Sequence, residues 1–149
     1  MPHLVILYTG NLDAPPEQGG TNMKALCRAL ADAMLAVRDD AGAQVFPTGG
    51  TRVLAYPAPH FAVADGGQAG RDAGGDGDYA FMYLNLRMGR GRSASVHQRA
   101  GQALDAVVRE HLAPQLAQRH IGITLQIDEG PEVFDAKNSS LHPLFKKAP

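Results

Sequence analysis

The sequence has 149 residues, 44% of them hydrophobic, enough to close one core and too few for two of ordinary size. Its 14 Lys and Arg stand against 15 Asp and Glu, a formal net charge of −1, so no global field favours nucleic acid or an anionic membrane surface. Any anion must be held locally, and the one cysteine, Cys27, has no partner for an internal disulfide.

The N-terminal stretch MPHLVILYTGN has no basic leader, and its apolar run is too short to span a bilayer, so cytoplasmic residence is expected. His3 to Thr9 is dense in apolar residues and is closed by Gly10 and Asn11, the pattern of a strand buried on both faces. After the loop DAPPEQGG, Thr21 is the expected cap of a helix in which Met23, Leu26, Cys27, Leu30, Met34 and Val37 recur at helical spacing. Cys27 falls on that apolar stripe and reads as a core filler rather than a nucleophile. The segment VFPTGGTRVLAYPAPHFAV mixes β-branched and aromatic residues with Pro and Gly, so a strand with irregular entry and exit is expected, beginning near Arg52.

From Ala64 to Asp78 the chain reads ADGGQAGRDAGGDGD, with too little apolar surface to repay ordering, and a flexible Gly/Asp-rich connector is expected over about 65–78. Its spacing does not match a calcium-binding loop. YAFMYLNLRMG then alternates, placing Ala80, Met82, Leu84, Leu86 and Met88 on one face of a strand. GRGRS leads into a second helix, with Ser95 and Gln98 expected as a capping box and Val96, Leu104, Val107, Val108 and Leu112 as its apolar stripe. Pro114 is expected to kink or end that helix. Ile121, Ile123, Leu125 and Ile127 alternate with more polar residues in a last strand, and the tail VFDAKNSSLHPLFKKAP has anchors too irregular to assign.

The order strand, helix, strand, repeated once, predicts a single α+β domain over residues 1–149: two β-α-β halves forming a four-stranded mixed sheet with two helices on one face. The opposite face should be buried by other subunits, which predicts a symmetric oligomer.

Several stretches together resemble the 5-carboxymethyl-2-hydroxymuconate isomerase family, within the tautomerase superfamily that uses an amino-terminal proline. They are MPH before an apolar strand, FPTGGTR at Phe46 to Arg52, DYAF at Asp78 to Phe81, GRGRS at Gly89 to Ser93, and NSSLHPLFK at Asn138 to Lys146. The resemblance implies a tautomerase-like fold, a homotrimer, and cofactor-free ketonisation of 5-carboxymethyl-2-hydroxymuconate in homoprotocatechuate breakdown, with no metal. It implies Pro2 as the catalytic proline and Arg52 and Arg92 as active-site arginines. The Gly/Asp-rich connector, longer than the family pattern, and Pro114, within a normally uninterrupted helix, depart from it.

These residue types suit such chemistry. Inside a chain the proline nitrogen is a tertiary amide without useful basicity, so Pro2 can act only once Met1 is removed. The freed amine would titrate near the 7.7 to 8.0 of an ordinary α-amino group, lowered by an apolar site or by guanidinium charge. Arginine stays protonated and its planar fork matches a carboxylate, so Arg52 and Arg92 suit a substrate with several carboxylates. His3 adjoins the base and is a candidate lining residue, whereas Arg90 reads as an exposed turn residue. GRGRS matches neither phosphate-loop pattern, and the six histidines lack zinc spacing. Two other readings stand beside this one: a tautomerase acting on another 2-hydroxymuconate or an enol acid such as phenylpyruvate, and a non-catalytic trimeric binding protein if Met1 is retained. A nucleic-acid reading rests only on GRGR and Lys146–Lys147 and is not expected.

Overall fold

The computed structural model describes residues 2–145. Alternation in the sequence sets the sheet. Strand β3, Ala80–Gly89, turns Ala80, Met82, Leu84, Leu86 and Met88 inward, each exposed by no more than 1%. Beside it runs β1, His3–Thr9, which sends Leu4 and Ile6 into the same core. The outer strands are β2, Arg52–Ala58, and β4, Ile121–Gly130, in the order β2-β1-β3-β4. β1 is parallel to β2 and antiparallel to β3, and β3 is parallel to β4. Each parallel pair needs a crossover, supplied by α1, Met23–Ala36, in the first half and α3, Ala94–Gln118, in the second. The expected four-stranded mixed sheet and its two long helices are present.

Both helices face the sheet through apolar stripes: Leu26, Leu30 and Met34 from α1, and Ala100, Leu104, Val108 and Leu112 from α3. Each fully buried leucine contributes roughly 1.5–3 kcal/mol. The opposite face has no such cover among the described residues. There Leu7, Leu54, Tyr56, Phe61 and Phe81 remain 37–51% exposed.

Two local expectations need correction. The cap of α1 is Asn22, whose Oδ1 accepts from the Ala25 amide at 3.0 Å, while Thr21 is buried. The cap of α3 is Ser93, accepting from the Val96 amide at 3.3 Å, and Ser95 lies inside the first turn, where it donates to Asp40. Pro114 does not end α3, which continues to Gln118. The missing N–H is tolerated because buried Leu112 and Gln115 tie the last turns to the domain, Gln115 Nε2 donating to the Gly20 carbonyl at 2.8 Å.

The Gly/Asp-rich stretch contains a short helix, α2, Gln68–Asp72. Apolar burial is not what holds it. Asp65 accepts from the amides of Gly67, Gln68 and Ala69 at 2.9–3.1 Å, and these bonds, that from Ala69 foremost, keep its carboxyl below the usual range. The Gly70 amide donates to Tyr79 Oη at 2.9 Å, and Arg119 reaches Asp78 at 2.7 Å.

The described part of the tail closes with a 3₁₀ turn, His142–Phe145, lying against a second such turn at Thr48–Gly50. A Cβ on Gly49 would stand 3.1 Å from Phe145 Cδ2. FPTGGTR and SSLHPLF, distant in sequence, thus meet. Met1, Lys146 and Lys147 lie outside the described residues. No helix among the described residues is long and apolar enough to cross a membrane.

Candidate active site

The sheet topology gathers the candidate residues at one end. β1 and β2 begin there, β3 and β4 finish there, and GRGRS leaves β3 at the same place. Pro2 is buried. Continuing the strand registers by one position sets it between Thr51 of the FPTGGTR segment and Met88 of β3. His3 follows, aligned with Arg52 across the parallel ladder and with Arg87 across the antiparallel one.

Both sequence-predicted arginines are partly buried and oriented by backbone carbonyls. Arg52 Nη1 donates to the Gly50 carbonyl at 3.0 Å. Arg92 Nη1 donates to the Gly89 carbonyl at 2.9 Å and Nη2 to that of Val45 at 3.5 Å, with its guanidinium carbon 5.9 Å from the ring centroid of fully buried Phe46. The turn that permits this contains Gly91 at φ +99, a conformation that favours glycine. Asp40 steadies the start of α3, 2.8 Å from Arg99 Nη2 and within hydrogen-bond reach of the Ser93 and Ser95 hydroxyls. Those bonds, Arg99 first, lower its pKa. Arg92, Ser93, Asp39 and Asp40 border a concavity of about 390 Å³. A larger one, about 550 Å³, lies between α1 and α3, away from Pro2, and holds none of the candidate residues.

His3 is held below the ordinary histidine pKa of 6.5, by burial first, with the positive charges of Arg52 and Arg87 adding to it. It is therefore neutral at pH 7. Arg90 is exposed, as expected of a turn residue. Burial raises the Cys27 thiol pKa, which disfavours the thiolate a nucleophile requires. Among the described residues, no three His, Cys, Asp or Glu side chains form a group that could hold a metal ion.

Pro2, His3 and Arg52 are thus neighbours across adjacent strands, and Arg92 stands at the same sheet end on the loop after β3. Sequence reasoning missed Arg87. It occupies a solvent-facing position of an alternating strand, where a polar residue is unremarkable, and only the cross-strand register brings it beside His3.

Comparison with known proteins gives the family. The family model described as 5-carboxymethyl-2-hydroxymuconate isomerase matches residues 2–145. A crystal structure of a 5-carboxymethyl-2-hydroxymuconate delta-isomerase is 66% identical with a TM-score of 0.93, covering 100% of this chain and 95% of that one. A 5-carboxymethyl-2-hydroxymuconate isomerase from Deinococcus radiodurans R1 is 32% identical with a TM-score of 0.76, covering 98% and 95%. The Escherichia coli 5-carboxymethyl-2-hydroxymuconate Delta-isomerase is 28% identical over 102 residues, 68% of this chain and 74% of that protein. With its family model matched over nearly the whole length, this chain belongs to the 5-carboxymethyl-2-hydroxymuconate isomerase family.

Proposed function

We propose that this protein is a tautomerase that converts the dienol 5-carboxymethyl-2-hydroxymuconate to its 2-oxo isomer, with the nitrogen of Pro2 as proton carrier. After removal of Met1, the neutral secondary amine accepts the proton of the 2-hydroxyl group. The oxygen's electron pair forms the C2 carbonyl, and the conjugated double bonds shift by one position. The ammonium then returns the same proton to carbon, so that no redox partner or cofactor is consumed. Arg52 and Arg92 bind carboxylates of the substrate, and their fixed charge stabilises the intermediate dienolate as negative charge spreads along it. His3, neutral at pH 7, lines the site as a hydrogen-bonding group rather than as a second cation.

The observation that carries this reading is the placement of Pro2: buried at the start of a central strand, one residue from the Arg52–His3 row, with Arg92 after the adjoining strand. Burial disfavours the ammonium form and keeps the base neutral near working pH. The protein works, on this reading, in the cytoplasm as a homotrimer, the exposed apolar face of the sheet being its subunit contact.

Intact mass and spectrophotometric turnover test it together. Material lacking Met1 should be active, and material retaining it inactive. Processed Pro2→Ala should lose roughly 10²-fold or more in kcat, the scale of a lost general base. Full turnover with Met1 attached would overturn the mechanism.

A further inference from the structure

Resting on that reading, we infer that Arg87 is a specificity-determining residue, binding the carboxymethyl carboxylate that distinguishes this substrate from plain 2-hydroxymuconate. Three features point to it. First, Arg87 completes a row across the sheet: Arg52 on β2, His3 on β1 and Arg87 on β3, in consecutive registers. The two arginines bracket the strand that begins at Pro2, about 10 Å apart at the backbone.

Second, the Arg87 side chain leans along β4 toward the sheet end that holds Pro2. Its register partner is Asp128, yet its guanidinium reaches Gly130, two residues further on. A Cβ there would lie 2.7 Å from Nη2 and 3.2 Å from Cζ, so the seat depends on glycine. Gly130 pairs with Gly89, and a Cβ on Gly89 would lie 4.0 Å from Arg92 Nη1. The glycine rung therefore has a guanidinium at each side, within about 12 Å of one another.

Third, Arg87 has no hydrogen bond or ion pair among the described residues. Asp128, the carboxylate opposite it, is engaged by Asn85 Nδ2 at 2.7 Å. One acidic group does reach the rung: the Glu132 carboxylate would lie 3.8 and 3.9 Å from a Cβ on Gly89, where it competes with an incoming anion.

The substrate has three carboxylates, and besides the exposed turn residue Arg90 this sheet end presents Arg52, Arg87 and Arg92. Arg52 and Arg92 are anchored on backbone carbonyls, as suits groups that hold the reacting chain. Arg87 makes no such bond among the described residues, as suits a group that reads a branch.

The test compares 5-carboxymethyl-2-hydroxymuconate with 2-hydroxymuconate, as substrates or, where turnover is negligible, as competitive inhibitors. In Arg87→Gln, KM for the tricarboxylate should rise at least tenfold with kcat within threefold, while KM or Ki for the dicarboxylate stays within twofold. Arg87→Lys should recover part of the loss. Gly130→Ala keeps the charge and fills the seat, so it should reproduce the same selective loss even if Arg87→Gln folds poorly. An unchanged KM for the tricarboxylate in both variants, or an equal rise for both ligands, overturns the assignment. A wild-type protein inactive toward both dienols would instead defeat the tautomerase reading itself.

Discussion

His3 and Arg52 are register partners at the first rung of the parallel β1–β2 ladder. The guanidinium helps keep the imidazole uncharged, with burial the larger cause. A bound carboxylate would offset that charge and raise the histidine pKa, so the complex binds more protons than the free protein. Affinity for a dicarboxylate inhibitor should therefore strengthen as pH falls from 8 toward 6, by at most about tenfold per unit. Calorimetry in two buffers of different ionisation enthalpy should register proton uptake, and His3→Gln should reduce it to the share of the Pro2 amine. Turnover should move the opposite way, because acid protonates the Pro2 amine. The same shift bears on stability: the unfolded chain takes up the proton first as pH drops through 6.5, so the His3 contribution to stability is lost on acidification.

Arg92 supports a second expectation. Its guanidinium is held by two carbonyls and by the face of Phe46. Arg92→Ala should lower kcat/KM roughly 10²- to 10³-fold, the usual effect of removing one donor to a developing oxyanion. Arg92→Lys should not restore it, since a single ammonium cannot serve both carbonyls and a carboxylate in the plane of a fork. Asp40→Asn acts at one remove, by weakening the ties to Ser93, Ser95 and Arg99. Several-fold loss of kcat/KM with an unchanged unfolding midpoint is expected, and wild-type kinetics in all three variants would remove the role given to this loop.

Much of this fold is legible in the sequence because burial has a period. Ala80 to Met88 alternate and are inward without exception, and the α1 stripe from Leu26 to Met34 lies against the sheet. What periodicity leaves out depends on single hydrogen bonds that it does not record. Thr21 and Asn22 both suit a cap, and only geometry shows which reaches the Ala25 amide. The 64–78 stretch is poor in apolar residues, but Asp65 serves three amides there. In the site, Pro2, Arg52 and Arg92 came from motif resemblance. Arg87 and Glu132 have no motif, since they come near the others only through the pairing of strands far apart in sequence.

The Glu132 carboxylate near the Gly89 rung leads to a third expectation. It comes from an exposed part of the tail and shares its neighbourhood with Arg92. Glu132→Gln should lower KM for the tricarboxylate about two- to fivefold, the scale of one screened charge at partly exposed distance. The gain should shrink in high salt. A raised KM would mean that Glu132 orders the site rather than competing for it.

The uncovered sheet face provides a fourth. Leu7 at 49% and Tyr56 at 51% exposure are register partners on β1 and β2, with Leu54 two residues before Tyr56. A lysine at Leu54 would face solvent in a lone subunit and cost little, but within a subunit contact it would be desolvated without a partner. If the proposed homotrimer forms through this face, Leu54→Lys should shift the light-scattering mass from trimer toward monomer while far-ultraviolet dichroism stays unchanged. A wild-type monomer would overturn the proposed trimer, and a variant that remains trimeric would assign the contact elsewhere.

Pro114 within α3 allows a prediction independent of function. Proline in a helix interior lacks the N–H that would reach the carbonyl four residues back, and its ring crowds that carbonyl, at a cost of about 3 kcal/mol. Here α3 runs through it to Gln118 without ending. The neighbouring anchors, buried Leu112 and the Gln115 bond to the Gly20 carbonyl, remain in a Pro114→Ala variant. Part of the gain is offset, because proline also restricts the unfolded chain by roughly 0.4–1 kcal/mol. Pro114→Ala should thus stabilise the protein by about 2–2.6 kcal/mol in urea unfolding, with kcat/KM unaltered, because the residue lies far along α3 from the turn that holds Arg92. Destabilisation would show that the ring, rather than the flanking anchors, positions the last turn of the helix.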